Sequence, residues 1–178
     1  MKNVICAFAI VLLVSVSLKA QISATADAQV RVNVVSAMLL ENIEPLNFGA
    51  VVVGNSASIS SDPNDIDNVN SPALFHIQAT SGITVQVTLN PPAVLSNGGG
   101  SDIVFSAFDP LRSDDSGGND NLQALDGWSW GGGDGTGTLE TVNGSAYLWL
   151  GGEISTDANQ DEGEYTGLYD VYVEYIVL

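Results

Sequence analysis

Basic side chains are almost missing from this chain of 178 residues: Lys and Arg total 4 against 21 Asp and Glu, for a formal net charge of −17. Nucleic acid and anionic lipid surfaces are held by clusters of Lys and Arg. Four scattered cations supply no such cluster, so neither is a partner. Charge of any sign is scarce, at 14% against about 25% in an average globular chain. There is one cysteine, Cys6, and one histidine, His76. A single cysteine closes no disulfide within the chain, and a lone histidine lacks the nucleophile and orienting group that covalent catalysis requires. Also missing beyond the first twenty residues is any sustained 3.6-residue apolar period; Ser36 to Glu44 offers one or two helical turns at most.

What is present at the start is an export signal. Met1 and Lys2 precede an apolar run from Val4 to Val16, and Ser17-Leu18-Lys19-Ala20 closes it with a small residue before Gln21. The run falls short of the roughly 20 residues of a membrane-spanning helix and has the layout of a secretory signal peptide. Residues 1–20 are read as that signal and 21–178 as one mature domain. Cleavage removes Lys2, Lys19 and Cys6, leaving Arg31 and Arg112 as the basic residues. The expected route is through the periplasm to the cell surface or the medium, with no membrane span after cleavage. About 160 residues without disulfides suffice to bury one core.

The mature chain opens on the clearest pattern in the sequence. Ile22, Ala24, Ala26, Ala28, Val30, Val32 and Val34 alternate with Ser23, Thr25, Asp27, Gln29, Arg31 and Asn33. A period of two places the apolar set on one face of a strand, and the run is about twice the usual strand length. A second strand is expected at Val51 to Val53, closed by Gly54-Asn55. Ala73 to Ala79 and Ile83 to Leu89 read as a hairpin about Thr80-Ser81-Gly82. Ile103 to Phe108, Ala146 to Leu150 and Tyr169 to Leu178 are further strands. Between them, 109–138 is an Asp-, Gly- and Trp-rich stretch, too long to be wholly irregular and expected to be ordered in part as a hairpin around the tryptophans. Seven to eight short antiparallel strands with regular turn signals give an all-β fold, an immunoglobulin-like or pilin-like β-sandwich.

Three sets of residues offer chemistry. Asp157, Asn159 and Asp161 space three oxygen side chains as a calcium loop does, but Glu162 stands where a calcium loop of the EF-hand kind has glycine; a solvated hairpin loop explains the same spacing. Trp128 and Trp130 form either a ligand surface, with a surface glycan as the ligand, or loop packing, while Trp149, within an alternating strand, belongs to the core. Carboxylates are plentiful but lie among glycine and asparagine in loops, and no catalytic constellation or nucleophile-elbow serine appears. The chain is read as non-enzymatic and without a required cofactor, calcium being the one candidate.

Several segments carry a resemblance: Leu46-Asn47-Phe48-Gly49, Ala73-Leu74-Phe75-His76-Ile77 before Gly82-Ile83-Thr84-Val85, and the closing Gly163-Glu164-Tyr165-Thr166-Gly167 followed by Val171-Tyr172-Val173-Glu174-Tyr175. Over about 28–178 the chain resembles the DUF4402 family of secreted bacterial proteins, departing from it in 109–138. The resemblance implies a small exported β-sandwich similar in style to chaperone–usher fimbrial subunits, with no catalytic residues to carry over. Such subunits assemble by strand addition, in which alternate side chains of an added strand fill pockets. Residues 21–34 are then either the strand donated to another copy or a related subunit, with an export chaperone as a transient partner, or the first strand of their own domain. A structural or adhesive surface subunit is the leading expectation. A monomeric extracellular carbohydrate- or calcium-binding module is the alternative.

Overall fold

A computed structural model describes residues 34–114 and 121–176. In chain order the strands are β1 (Leu39–Glu44), β2 (Ser56–Ile59), β3 (Ala73–Gln78), β4 (Thr84–Asn90), β5 (Val94–Ser96) and β6 (Asp102–Ala107). They continue with β7 (Leu111–Ser113), β8 (Gln123–Ala124), β9 (Asp126–Gly131), β10 (Asp134–Glu140), β11 (Ser145–Leu150), β12 (Gly152–Ser155) and β13 (Asp170–Tyr175). No helix occurs among the described residues, and the fold is an all-β sandwich. Every strand pairing is antiparallel. The first sheet has the order β1-β3-β11-β7-β8, the second β13-β4-β10-β9 and the third β2-β12-β6-β5.

Among the described residues thirteen strand segments stand in place of the seven or eight expected: two long strands each serve two sheets, and β1, β5 and the segments β8 to β10 add the rest. β11 passes into β12 through Gly151, and β6 passes into β7 through Phe108-Asp109-Pro110. Gly151 is required at its crossing: a Cβ there would collide with the Ile59 carbonyl oxygen and the Ser61 nitrogen. Its own N–H donates to Ser61 Oγ at 3.0 Å, and its carbonyl accepts from the Phe108 amide at 3.2 Å. Two chain segments therefore change sheet side by side, with the end of β2 against them.

The first and second sheets face each other across the main core. Ala73 and Ile77 of β3 and Ala146, Leu148 and Leu150 of β11 pack against Val85, Val87 and Leu89 of β4 and Leu139 of β10. The alternation seen in the sequence is the cause, since residues two apart share a face. The expected hairpin at 79–83 is instead a corner: β3 lies in the first sheet and β4 in the second, because both strands aim their apolar face at the same core from opposite sides. Thr141, fully buried, ties that corner to the one after β10, its Oγ1 donating to the Thr80 carbonyl at 2.7 Å while its amide donates to Ile83 O at 3.1 Å.

Two further expectations change. Residues 39–44, weighed as helical turns, form β1, where pairing to β3 overrides a weak local pattern. Val51 to Val53 form no strand; Val51 packs into a second apolar cluster, the turn at 52–55 follows, and β2 begins at Ser56. The stretch 109–138 supplies β7 to β10, and β10 sits inside the second sheet between β4 and β9. The β9–β10 hairpin carries the tryptophans, as expected.

Candidate functional site: an open flank and its apolar cleft

One flank of the sandwich is closed and the opposite one is not. On the closed flank, β9 brings Trp128 against the main core, over Gly135 and Gly137 of β10. A Cβ at Gly135 would collide with the Trp128 ring, so the missing side chain is what admits the indole. On the open flank the edge strands are β1 and β13. Among the described residues β1 pairs only with β3 and β13 only with β4. Met38 just before β1 and Leu40 within it, and Tyr169 just before β13 with Val171, Val173 and Tyr175 along it, pack on the core but remain only partly buried. Inward-facing apolar side chains left half-covered between two edges mark a place where strand material is missing, since edge strands are otherwise protected.

The flank runs into an apolar cleft. Leu46 and Tyr169 touch both the main core and the second cluster, which is built on Ile103 and Phe105 of β6 and Ile154 of β12. Phe48 meets Phe105 edge to face at 6.2 Å, and Phe105 meets Tyr169 likewise at 6.0 Å. These side chains, with Leu95, line a cleft of about 760 Å³, within the size range of ligand pockets. The two segments Leu46–Gly49 and Gly163–Gly167 both line it. Residues that stand more than a hundred positions apart in the sequence thus form opposite walls of one site.

The second wall is a strap, residues 157–169, held by its own polar contacts. Tyr165 Oη donates to the Asp161 carbonyl at 2.8 Å and lies 3.0 Å from Ser101 Oγ. Gln160 Nε2 donates to Tyr165 Oη at 2.8 Å and to Ser101 Oγ at 2.7 Å. Thr166 bridges Ser96 at the edge of β5 through a pair of backbone hydrogen bonds at 2.9 and 3.0 Å. Tyr169, at the end of the strap, is different: its hydroxyl is shut away from solvent with no hydrogen-bond partner among the described residues. Burial pushes its phenol pKa above the usual tyrosine value.

The residues singled out in the sequence are not gathered at one place. Asp157, Asn159 and Asp161 lie exposed on the strap, with Gln160 N donating to Asp157 O at 3.0 Å to close a turn. Among the described residues no group of three or more His, Cys, Asp or Glu side chains is placed to hold a metal ion. Trp128 and Trp130 meet edge to face at 5.1 Å, and both donate their indole N–H to Asp109; Trp130 stays 38% exposed. Trp149 is buried and donates to Ser113 Oγ at 3.2 Å. His76 stacks on Tyr147 at 4.5 Å, with Nε2 2.7 Å from Ser145 Oγ, in the middle of a sheet. Of the alternating set, Ile22, Ala24, Ala26, Ala28, Val30 and Val32 lie outside the described residues, and Val34 is exposed. Sequence reasoning missed the role of Asp109 and of Leu46, Phe48, Tyr165 and Tyr169 as cleft walls; the recurring family segments at 46–49 and 163–167 were the available signal.

The described residues form an all-β sandwich with one open flank and an aromatic-lined cleft. Residues 38–175 match the family model described as Domain of unknown function (DUF4402), and the chain belongs to that family. Neither a curated protein nor a solved structure matches the chain. Among the described residues no helix is long and apolar enough to cross a membrane.

Proposed function

We propose that the protein is a non-enzymatic, exported structural or adhesive subunit of the cell surface, fimbria-like, which assembles by accepting an extended strand from another copy into its open flank. The observation that carries this reading is the half-covered apolar row between β1 and β13. Tyr169, Val171, Val173 and Tyr175 face inward on one edge, Met38 and Leu40 on the other, and neither edge pairs with a further strand among the described residues, Tyr175 Oη being held at one end by the Ser36 carbonyl and the Thr80 amide. Strand addition answers both deficits at once: main-chain hydrogen bonds complete an edge, and alternate side chains fill the gap.

The strand to be donated is the alternating segment Ile22 to Val34. Its apolar face has the required period, and thirteen residues at about 3.3 Å each reach roughly 43 Å, well beyond the six residues of β13. Export would carry the chain through the periplasm, where a chaperone would cover the flank before assembly, and surface glycans are the class of target for an adhesive end. The test compares the mature chain 21–178 with the same chain lacking 21–29, by light scattering over a concentration series. Concentration-dependent polymers from the first, none from the second, and recovery of flank protection when a peptide of residues 21–34 is added to the second are expected. A mature chain that stays strictly monomeric at high concentration overturns the reading.

A further inference from the structure

The open flank has a second property, its charge. Every charged side chain on its two edge strands is acidic and exposed: Glu41 and Glu44 on β1, Asp170 and Glu174 on β13. The strap beside it adds Glu162 and Glu164. No compensating cation lies near, because Arg112 is the one Lys or Arg among the described residues. Arg112 is also committed elsewhere, donating to Gln123 Oε1 at 2.6 Å and lying 3.8 Å from Asp114.

A strand entering between these edges meets a field of one sign. Beyond residue 20 the chain has a single other cation, Arg31, and it stands within the alternating segment, on the polar face opposite Val30, Val32 and Val34, four residues after the segment's one acid, Asp27. With the apolar face turned into the gap, that polar face is turned outward: a strand joined to β1 presents it on the outer face that carries Glu41, and a strand joined to β13 presents it on the opposite outer face, which carries Asp170 and Glu174. The match holds whichever of the two edges the strand joins. We propose that Arg31 of a second copy is the electrostatic key of assembly, steering the 22–34 segment to the acidic rim of the flank and fixing its position there. This rests on the strand-addition reading of the site and assigns one residue of the donated segment a role in specificity. Charge pairs at the rim of an interface act mainly on the rate of association and its salt dependence, and that is how the role is to be read.

The experiment uses the mature chain 21–178 as wild type, Arg31→Gln and Arg31→Glu, with the initial rate of assembly followed by light scattering at about 0.01 M and about 1 M ionic strength, where the Debye length falls from about 30 Å to about 3 Å. At low salt Arg31→Gln is expected to slow assembly about five-fold and Arg31→Glu about ten-fold or more, the second adding like-charge repulsion. At high salt all three should converge. The thermal midpoint of the dilute chain reads folding separately and should not move. Arg31→Glu combined with Glu41→Lys and Glu174→Lys should assemble faster than Arg31→Glu alone. If wild type assembles and both Arg31 variants match its rate at low salt, the role of Arg31 is overturned while strand addition stands. If wild type does not assemble at all, both fall together.

Discussion

Trp130 Nε1 donates to Asp109 Oδ1 at 2.7 Å. The same oxygen accepts from Trp128 Nε1 at 3.2 Å, so one carboxylate from the β6–β7 crossing pins both indoles of β9. Hydrogen bonds to a charged group contribute more than neutral ones, and their removal leaves two exposed indole donors to water. Asp109→Ala is expected to cost about 2 kcal/mol, measured by urea denaturation, with a red shift of tryptophan emission. Asp109→Asn, which keeps an acceptor, should cost less.

The crossing at Gly151 gives a sharper case. A Cβ there meets backbone, which cannot rotate away. Gly151→Ala is expected to cost about 3 kcal/mol or more, at the upper end of overpacking effects. Gly131, in β9, has no atom within 4 Å of an added Cβ, and Gly131→Ala should leave the denaturation midpoint nearly unchanged.

Thr141 tests the corner. Its hydroxyl bonds the Thr80 carbonyl at 2.7 Å and lies 3.3 Å from that of Ile83, in a fully buried position. Thr141→Val keeps the volume and leaves buried carbonyls short of a donor, so a loss of about 1–3 kcal/mol is expected. Hydrogen exchange should show earlier opening of the amides of Gly82 and Ala79, which bond to Thr141 O and Gly144 O at this corner.

Tyr169 yields a pH dependence with a definite sign. Burial raises its folded-state pKa above the unfolded value of about 10, so the fold prefers the neutral phenol. The stability linked to that preference is fully present below about pH 10 and is lost as the pH rises through the folded pKa. Tyr169→Phe should remove this part of the alkaline loss. Because the hydroxyl has no partner among the described residues, the variant should also be as stable as wild type at pH 7 or more so, by up to about 1 kcal/mol. Chemical denaturation at pH 7 and pH 11 reads both effects.

The parts of the fold written locally were legible. Val85, Val87 and Leu89 alternate cleanly and form the centre of the core, and Ala146, Leu148 and Leu150 do the same. The layer change between β3 and β4 was not legible, because a short turn with glycine serves a hairpin and a corner equally well; only the opposing cores decide. Gly151 likewise reads as punctuation in the sequence, and its need becomes visible only when Ile59 and Ser61 come beside it. The cleft was half legible: the segments at 46–49 and 163–167 stood out as motifs, but their meeting across Phe105 is a long-range contact that no local period records. Asp109 was one aspartate among many until the β9 indoles converged on it.

The paired crossings at Gly151 and at residues 108–110 bear on how the molecule comes apart. It has two apolar clusters, one between the first and second sheets and one on the third, which in separate modules would melt separately. Here β11–β12 runs through both, Leu46 and Tyr169 touch both, and β6–β7 carries the second cluster's strand on into the first sheet, so neither cluster can lose its strands without disturbing the other. Cooperativity is therefore built into the covalent path of the chain: two cores, one melting transition.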